Sequence, residues 1–123
     1  MVIVIRDFQI VSDNERLIPV IMKGKPRVVT SGKYKKCKEQ LRVLMREQMP
    51  EGYKPPEEPV IFMQVQTYKD IGNIAKVVMD ALEGAGVIKN DRDILRLDVE
   101  KIKAKRGASD SLYIWVIDED MCP

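Results

Sequence analysis

Short apolar runs rich in Val and Ile alternate with two longer segments of helical periodicity, and Gly/Pro clusters separate them. That order predicts an α/β (α+β) fold, a small mixed β-sheet carrying two main helices. At 123 residues, with 45% hydrophobic and 33% charged residues, the chain has the length and composition of one globular domain spanning residues 1–123.

Residues 2–11 read as a first strand. Leu17–Met22 and Arg27–Thr30 read as two more, separated by the turn signal Lys23-Gly24-Lys25-Pro26. Thr30-Ser31-Gly32 then offers a helix N-cap. From Lys33 to Met49 the residues Tyr34, Cys37, Leu41, Leu44, Met45 and Gln48 form one helical stripe. Lys36, Lys38, Arg42 and Arg46 fall mostly off it, on the side expected to be wet. Pro50–Pro59, with four prolines and Gly52, is a connection. Val60–Thr67 carries apolar residues on both faces at its start, which suits a strand inside a sheet. Asp70 precedes a second helix with the stripe Ile71, Ile74, Ala75, Val78, Leu82 and Ala85, closed by Gly84 and Gly86. Leu95–Ala104 and Leu112–Asp118 read as strands joined as a hairpin through Arg106–Asp110, with a bulge near Lys101 where alternation slips. Glu119–Pro123 is an acidic tail.

The chain contains no histidine, which excludes His-based triads, the usual zinc sites and imidazole general bases. Cys37 and Cys122 lie far apart without metal-ligand spacing and read as free thiols of a reducing, cytoplasmic compartment. No run approaches the length of a membrane span, and the five apolar residues from Met1 to Ile5 lack the flanks of a signal peptide. The net charge of +2 hides an uneven distribution: residues 23–46 carry a balance of +8, residues 47–123 a balance of −5. A basic hairpin and helix (23–49) joined to an acidic half is the layout of a nucleic-acid binder with a metal site. Tyr34 and Trp115, the candidates for base stacking, fall in apolar stripes and are expected in the core.

The acidic half concentrates chemistry. Asn73, Lys76, Asp80 and Glu83 share one face of the second helix, Asp70 sits at its start, and Lys89-Asn90-Asp91-Arg92-Asp93 follows its end. Carboxylates that hold a hard divalent cation and an ammonium that steadies a phosphate are what a Mg²⁺-dependent phosphodiesterase uses. Asp91 and Asp93 can approach Asp70 only if their loop folds back along the helix, or if a second subunit supplies one end. An N-cap, an i,i+4 ion pair and a polar turn would explain the same residues without function.

The ordered set Asp70, Asn73, Lys76, Asp80-Ala81-Leu82, Gly86 and Asp91 resembles the RusA family of Holliday junction resolvases, and Thr30-Ser31-x-x-Tyr34-Lys35 is similar to the segment leading into that family's first helix. The resemblance implies a homodimeric, Mg²⁺-dependent endonuclease, with Mn²⁺ as a substitute metal. Its substrate would be four-way DNA junctions in recombination and repair, and no organic cofactor or membrane is involved. Carried over, Asp70 and Asp91 are metal ligands, Lys76 contacts the scissile phosphate, and Asp80 supports it. Lys23, Lys25, Arg27, Lys33, Lys35, Lys36, Asn73 and Lys76 form the DNA-binding set. Two residues depart from the pattern: Gly72 stands where the family usually has Asp, and Asn90 where it commonly has Asp. Asp93 or Asp80 would have to substitute as ligands. The alternative is a catalytically weakened or inactive junction binder on the same fold. A third reading is a small interaction protein with no nucleic-acid role, which predicts no salt-dependent DNA binding.

Overall fold

The computed structural model describes every residue except Asp13, Asn14, Arg16, Cys122 and Pro123. The order of elements is β1 (Val2–Phe8), β2 (Leu17–Met22), β3 (Lys25–Thr30), α1 (Gly32–Glu47), β4 (Pro59–Thr67), α2 (Ile71–Ala85), β5 (Arg96–Lys103) and β6 (Asp110–Asp118). Single 3₁₀ turns lie at Asp91–Asp93 and Glu119–Met121. The mixed sheet with two helices is the α+β architecture expected from the periodicities.

Four strands form the main sheet in the order β1-β6-β4-β5, and β2 with β3 forms a separate two-stranded sheet. β4 runs antiparallel to β6 and parallel to β5. Its mostly apolar sequence fits this interior position, because a strand bounded on both sides presents its N–H and C=O groups to neighbours and not to water. One face of the sheet is buried: Ile3 and Ile5 of β1, Leu112, Ile114 and Val116 of β6, and Ile61, Met63 and Val65 of β4. These side chains join one cluster with Tyr34, Cys37, Leu41 and Met45 of α1 and Ile74, Val77, Val78, Ala81 and Leu82 of α2. Each fully buried aliphatic side chain of this kind is worth about 1.5–3 kcal/mol relative to exposure.

Several elements differ from the sequence reading. The last two strands are not a hairpin: β4 lies between β5 and β6. The turn at Lys105–Ala108 is present, with the Ala108 N–H donating to the Lys105 carbonyl at 3.0 Å. A turn fixes only a local reversal, however, and β4 takes both strands as partners. The β4–β5 register runs without a slip from Val60↔Arg96 to Thr67↔Lys103, so Lys101 marks no bulge. The irregularity is in β1, between Ile5 and Phe8, where Asp7 takes φ 55°. Beyond it the first strand stops at Phe8 and turns inward, burying Ile10 and Val11. Tyr34 is in the core, but Trp115 is 37% exposed. It points to the open face of the sheet, in a row with Val2 and Phe62. The two-fold alternation of β6 therefore outranks the apolar character of one residue. Cys37 is a buried free thiol, whereas Cys122 lies outside the described residues.

The helix ends follow their caps. Ser31 accepts a hydrogen bond from the Tyr34 N–H at 3.0 Å at the start of α1, and Asp70 caps α2. Gly86 closes α2 in the left-handed conformation, φ 82°, which glycine adopts without the Cβ penalty. Gly84 has a different role, inside the helix. A Cβ there would lie 2.3 Å from Arg42 Nε, so glycine lets α1 and α2 pack closely. Lys38 and Arg42 accordingly are half-buried between the helices, not fully wet. Gln48, on the stripe, is exposed and bonds both backbone groups of Val4, tying α1 to β1. No helix among the described residues is long and apolar enough to cross a membrane.

Burial pushes the Cys37 thiol up from its ordinary value of 9.0, outweighing the hydrogen bond it accepts from the Val11 N–H at 3.3 Å. Burial likewise raises Tyr53, whose hydroxyl donates to the Val87 carbonyl at 2.7 Å. Both groups are acids that stay neutral longer when folded. Their contribution to stability is therefore complete below the unfolded pKa values and lost as pH rises above about 9. Urea denaturation between pH 7 and 10.5 should show stability declining from about pH 9 upward, with a shallower onset in Cys37→Ala.

Candidate active site

The Asp70 end of α2 borders a cleft of about 470 Å³ between the Gln9–Ser12 segment, Glu15 and Lys33 on one side and Tyr68, Lys69, Asp70 and Asn73 on the other. Asp70 is exposed, and its Oδ1 accepts the Gly72 N–H at 2.9 Å. Capping explains its position at the helix start and engages only one of its two oxygens. Asn73 follows one turn on, half-buried, and Lys76 is exposed in the next turn. Asp80 is half-buried and meets Lys38 of α1 at 3.8 Å.

Beneath this rim lies a buried polar cluster that the sequence did not disclose. Asp110 is fully buried. Its carboxylate accepts hydrogen bonds from Thr67 Oγ1 at 2.6 Å and the Ile10 N–H at 2.9 Å, and pairs with Lys69 Nζ at 2.8 Å. Lys69 Nζ also donates to the Ile10 carbonyl, and Lys101 Nζ donates to the Lys69 carbonyl at 2.7 Å. The residue before Asp70 is thus held through side chain and backbone to three separate segments. No spacing rule could have found this cluster, because its members are scattered over a hundred positions and meet only through the sheet order. Asp110 at the start of an apolar strand was the one available signal, since an acid in such a place needs a partner.

Asp91 lies elsewhere. It opens the 3₁₀ turn after α2, exposed, and its N–H donates to Glu83 Oε1 at 3.3 Å near the last turn of the helix. Asn90 caps that turn, accepting the Arg92 N–H at 3.0 Å. Asp93 is half-buried in the same turn. α2 has 15 residues, so its ends are about 22 Å apart. The parallel crossover repeats the separation: Asp70 follows the Thr67 end of β4, whereas Asp91 precedes β5, which begins beside Val60. Asp70 and Asp91 of one chain therefore do not meet. Among the described residues no group of three or more acids or cysteines is placed to hold a metal. The donor chemistry, carboxylate oxygen, suits a hard divalent cation, but its placement in a single protomer does not.

Gly72 leaves room for a side chain. A Cβ there would meet only Asp70 Oδ1, at 3.4 Å, and its φ is unremarkable for an L residue. Packing therefore does not require glycine at this position.

The basic set divides in two. Lys23, Lys25 and Arg27 stand on the β2–β3 hairpin, exposed. Lys33, Lys35 and Lys36 are exposed on the first turns of α1, with Lys33 3.6 Å from Glu15 across the cleft. All six belong to one continuous stretch of chain that precedes the acid-bearing helix.

A one-sided sheet with a cationic arm, and with carboxylates at the two ends of one helix, offers the charge chemistry that a phosphodiester backbone and a divalent cation call for. Comparison with known families makes this specific: the profile described as endodeoxyribonuclease RusA matches residues 14–110, and the chain belongs to that family. Membership implies Holliday junction resolution in general, branched DNA as the substrate class and a divalent-metal requirement typical of the family. Among curated proteins no match was found.

The buried cluster generates a stability prediction. Asp110→Ala leaves Lys69, the Thr67 hydroxyl and the Ile10 N–H without their shared acceptor. It should cost about 3 kcal/mol or more, the usual effect of breaking one side of a buried pair. The urea midpoint at pH 7 measures it, and an unchanged midpoint would show that the network carries no weight.

Proposed function

We propose that this chain is a Mg²⁺-dependent, structure-selective endonuclease acting as a homodimer on four-way DNA junctions. Two copies would then make each active site together. The supporting observation is the separation of Asp70 and Asp91 along α2: two copies related by a two-fold axis, with their α2 helices antiparallel, bring the Asp70 end of one beside the Asp91 end of the other. Such a dimer has two sites related by symmetry, as paired nicks on opposed strands require.

In this reading Asp70 of one protomer and Asp91 of its partner hold the cation, and the partner's Asp93 takes the place of the acids missing at positions 72 and 90; Asp80, about 15 Å along α2 from Asp70 and paired with Lys38, is out of reach. A bound divalent metal supplies an activated water and a Lewis acid for the phosphoryl oxygen. Lys76, two turns into α2, lies against the scissile phosphate and neutralises charge that builds on it. Asn73 and the exposed cations Lys33, Lys35 and Lys36 orient the backbone without reading bases, so affinity falls steeply with salt while sequence preference in binding stays weak. The same contacts serve a junction binder with weak or no cleavage, the second reading, which Gly72 and Asn90 favour. Recombination and repair are the processes such an activity serves.

Cleavage of an end-labelled four-way junction, with Mg²⁺ or Mn²⁺ varied in tenfold steps, tests the proposal. Metal-dependent paired nicks that vanish in Asp91→Asn, while junction binding persists, are the expected result. Tight binding with no nick at any metal concentration would overturn the enzymatic reading in favour of the binder.

Gly72→Asp provides an independent check, because the site has space for the side chain and an acid in the first turn suits the helix dipole. It should lower the metal concentration for half-maximal cleavage by about tenfold, since metal affinity follows ligand charge and number. A metal titration of wild type and variant reads the shift directly.

A further inference from the structure

The β2–β3 hairpin has a surface that neither the fold nor the proposed metal site uses. Its strands pair only with each other. A two-stranded ribbon of this kind is marginal in water unless one face packs on something. Register and alternation sort its side chains. Leu17, Pro19 and Ile21 of β2 stand opposite Thr30, Val28 and Pro26 of β3 on one face, which is apolar except for Thr30. That face is open: Ile21 is 80% and Val28 67% exposed, and both prolines are exposed.

The other face mixes Ile18, Val20, Met22 and Val29 with two cations, and a third cation stands in the turn. Lys25 and Arg27 lie opposite Met22 and Val20, and Lys23 forms the turn with Gly24, both at positive φ. No acid occurs from residue 17 to residue 38. The Ile21↔Pro26 pair is next to the last before the turn; Lys25 and Arg27 flank Pro26 along β3, and Lys23 stands in the turn itself. The two prolines remove N–H donors from the ribbon, and with the cations they blunt it against strand addition by a second copy of the chain.

A polyanion with exposed apolar faces satisfies both halves of this surface. We propose that the hairpin tip is a wedge for the branch point of junction DNA. Ile21 and Pro26 press against base pairs left without a stacking neighbour at the crossover, and Lys23, Lys25 and Arg27 seat the adjoining phosphates. Apolar wedges flanked by cations are a general means of holding kinked or unstacked DNA. Each strand has six residues, so the arm is about 20 Å long, enough to reach across a groove. The wedge makes the protein selective for branched over continuous duplex by shape, with no base-reading contact. This inference rests on the junction-directed function proposed above and names the element that chooses the substrate.

The test uses full-length protein in EDTA, so that no strand is cut, and a four-way junction carrying 2-aminopurine at the branch point. Wild type should bind with steep salt dependence and raise the fluorescence as the reporter unstacks. Ile21→Ser changes only an exposed side chain. It should abolish the rise and lower the junction-to-duplex affinity ratio about tenfold, roughly what burying one aliphatic side chain is worth. A Lys25→Ala/Arg27→Ala variant should instead weaken binding to both DNAs and reduce the salt slope by about two. Junction binding with a full fluorescence rise in Ile21→Ser overturns the wedge alone. So does a change in sedimentation of Ile21→Ser without DNA, because the arm would then grip a second copy. Absence of salt-dependent junction binding by wild type overturns the wedge and the proposed function together.

Discussion

The parallel crossover from β4 through α2 to β5 is the constraint on which the remaining structure depends. A parallel pair cannot be joined by a tight turn, so the chain must travel the length of the sheet and back before β5 begins. α2 makes that return, buried along one side by Ile74, Val77, Val78, Ala81 and Leu82. A rigid, well-packed helix fixes the distance between whatever stands at its two ends. Here those are Asp70 and Asp91, and no rotamer change brings them together. The same constraint that gives a small domain its core also keeps its candidate ligands apart within one chain.

The rim around Asp70 is built to hold still. The buried Asp110 and Thr67 and the half-buried Lys69 form a polar network joining the start of β6, the end of β4 and the segment after β1. Such a network is costly to leave half-satisfied and therefore specifies one arrangement of the turn that precedes α2. The arm formed by β2 and β3 is the opposite case, joined to the body without sharing its sheet and carrying its apolar residues outward. In the proposed function, the carboxylate at the start of α2 and the cationic ribbon would divide the work between positioning and recognition.

Much of this was legible from local pattern. Both helices, their caps at Ser31 and Asp70, and the αL stop at Gly86 follow from residues whose roles are decided within one or two turns. The interior position of β4 follows from its apolar sequence on both faces. What was not legible depended on strand order. Leu95–Ala104 and Leu112–Asp118 flank a good turn and read as a hairpin, yet β4 separates them. Trp115 reads as core by composition, and only the sheet's one-sided burial turns it outward. Within the candidate site, the order Asp70, Asn73, Lys76, Asp80, Asp91 was enough to point to the family that the profile comparison shows. The Asp110 cluster was not, because its members come together only through the sheet.

Assembly of each site from two chains is the central claim, and subunit mixing tests it most directly. Asp70→Asn and Asp91→Asn proteins would each be inactive on a four-way junction. If Asp70 of one protomer works with Asp91 of its partner, the mixed dimer retains one site with both carboxylates intact, and mixing the two inactive proteins restores metal-dependent nicking on one strand. If both carboxylates of a site come from the same chain, every site in the mixture lacks one of them. Mixed dimers that form and remain inactive, while wild type cuts under the same conditions, would contradict the shared site.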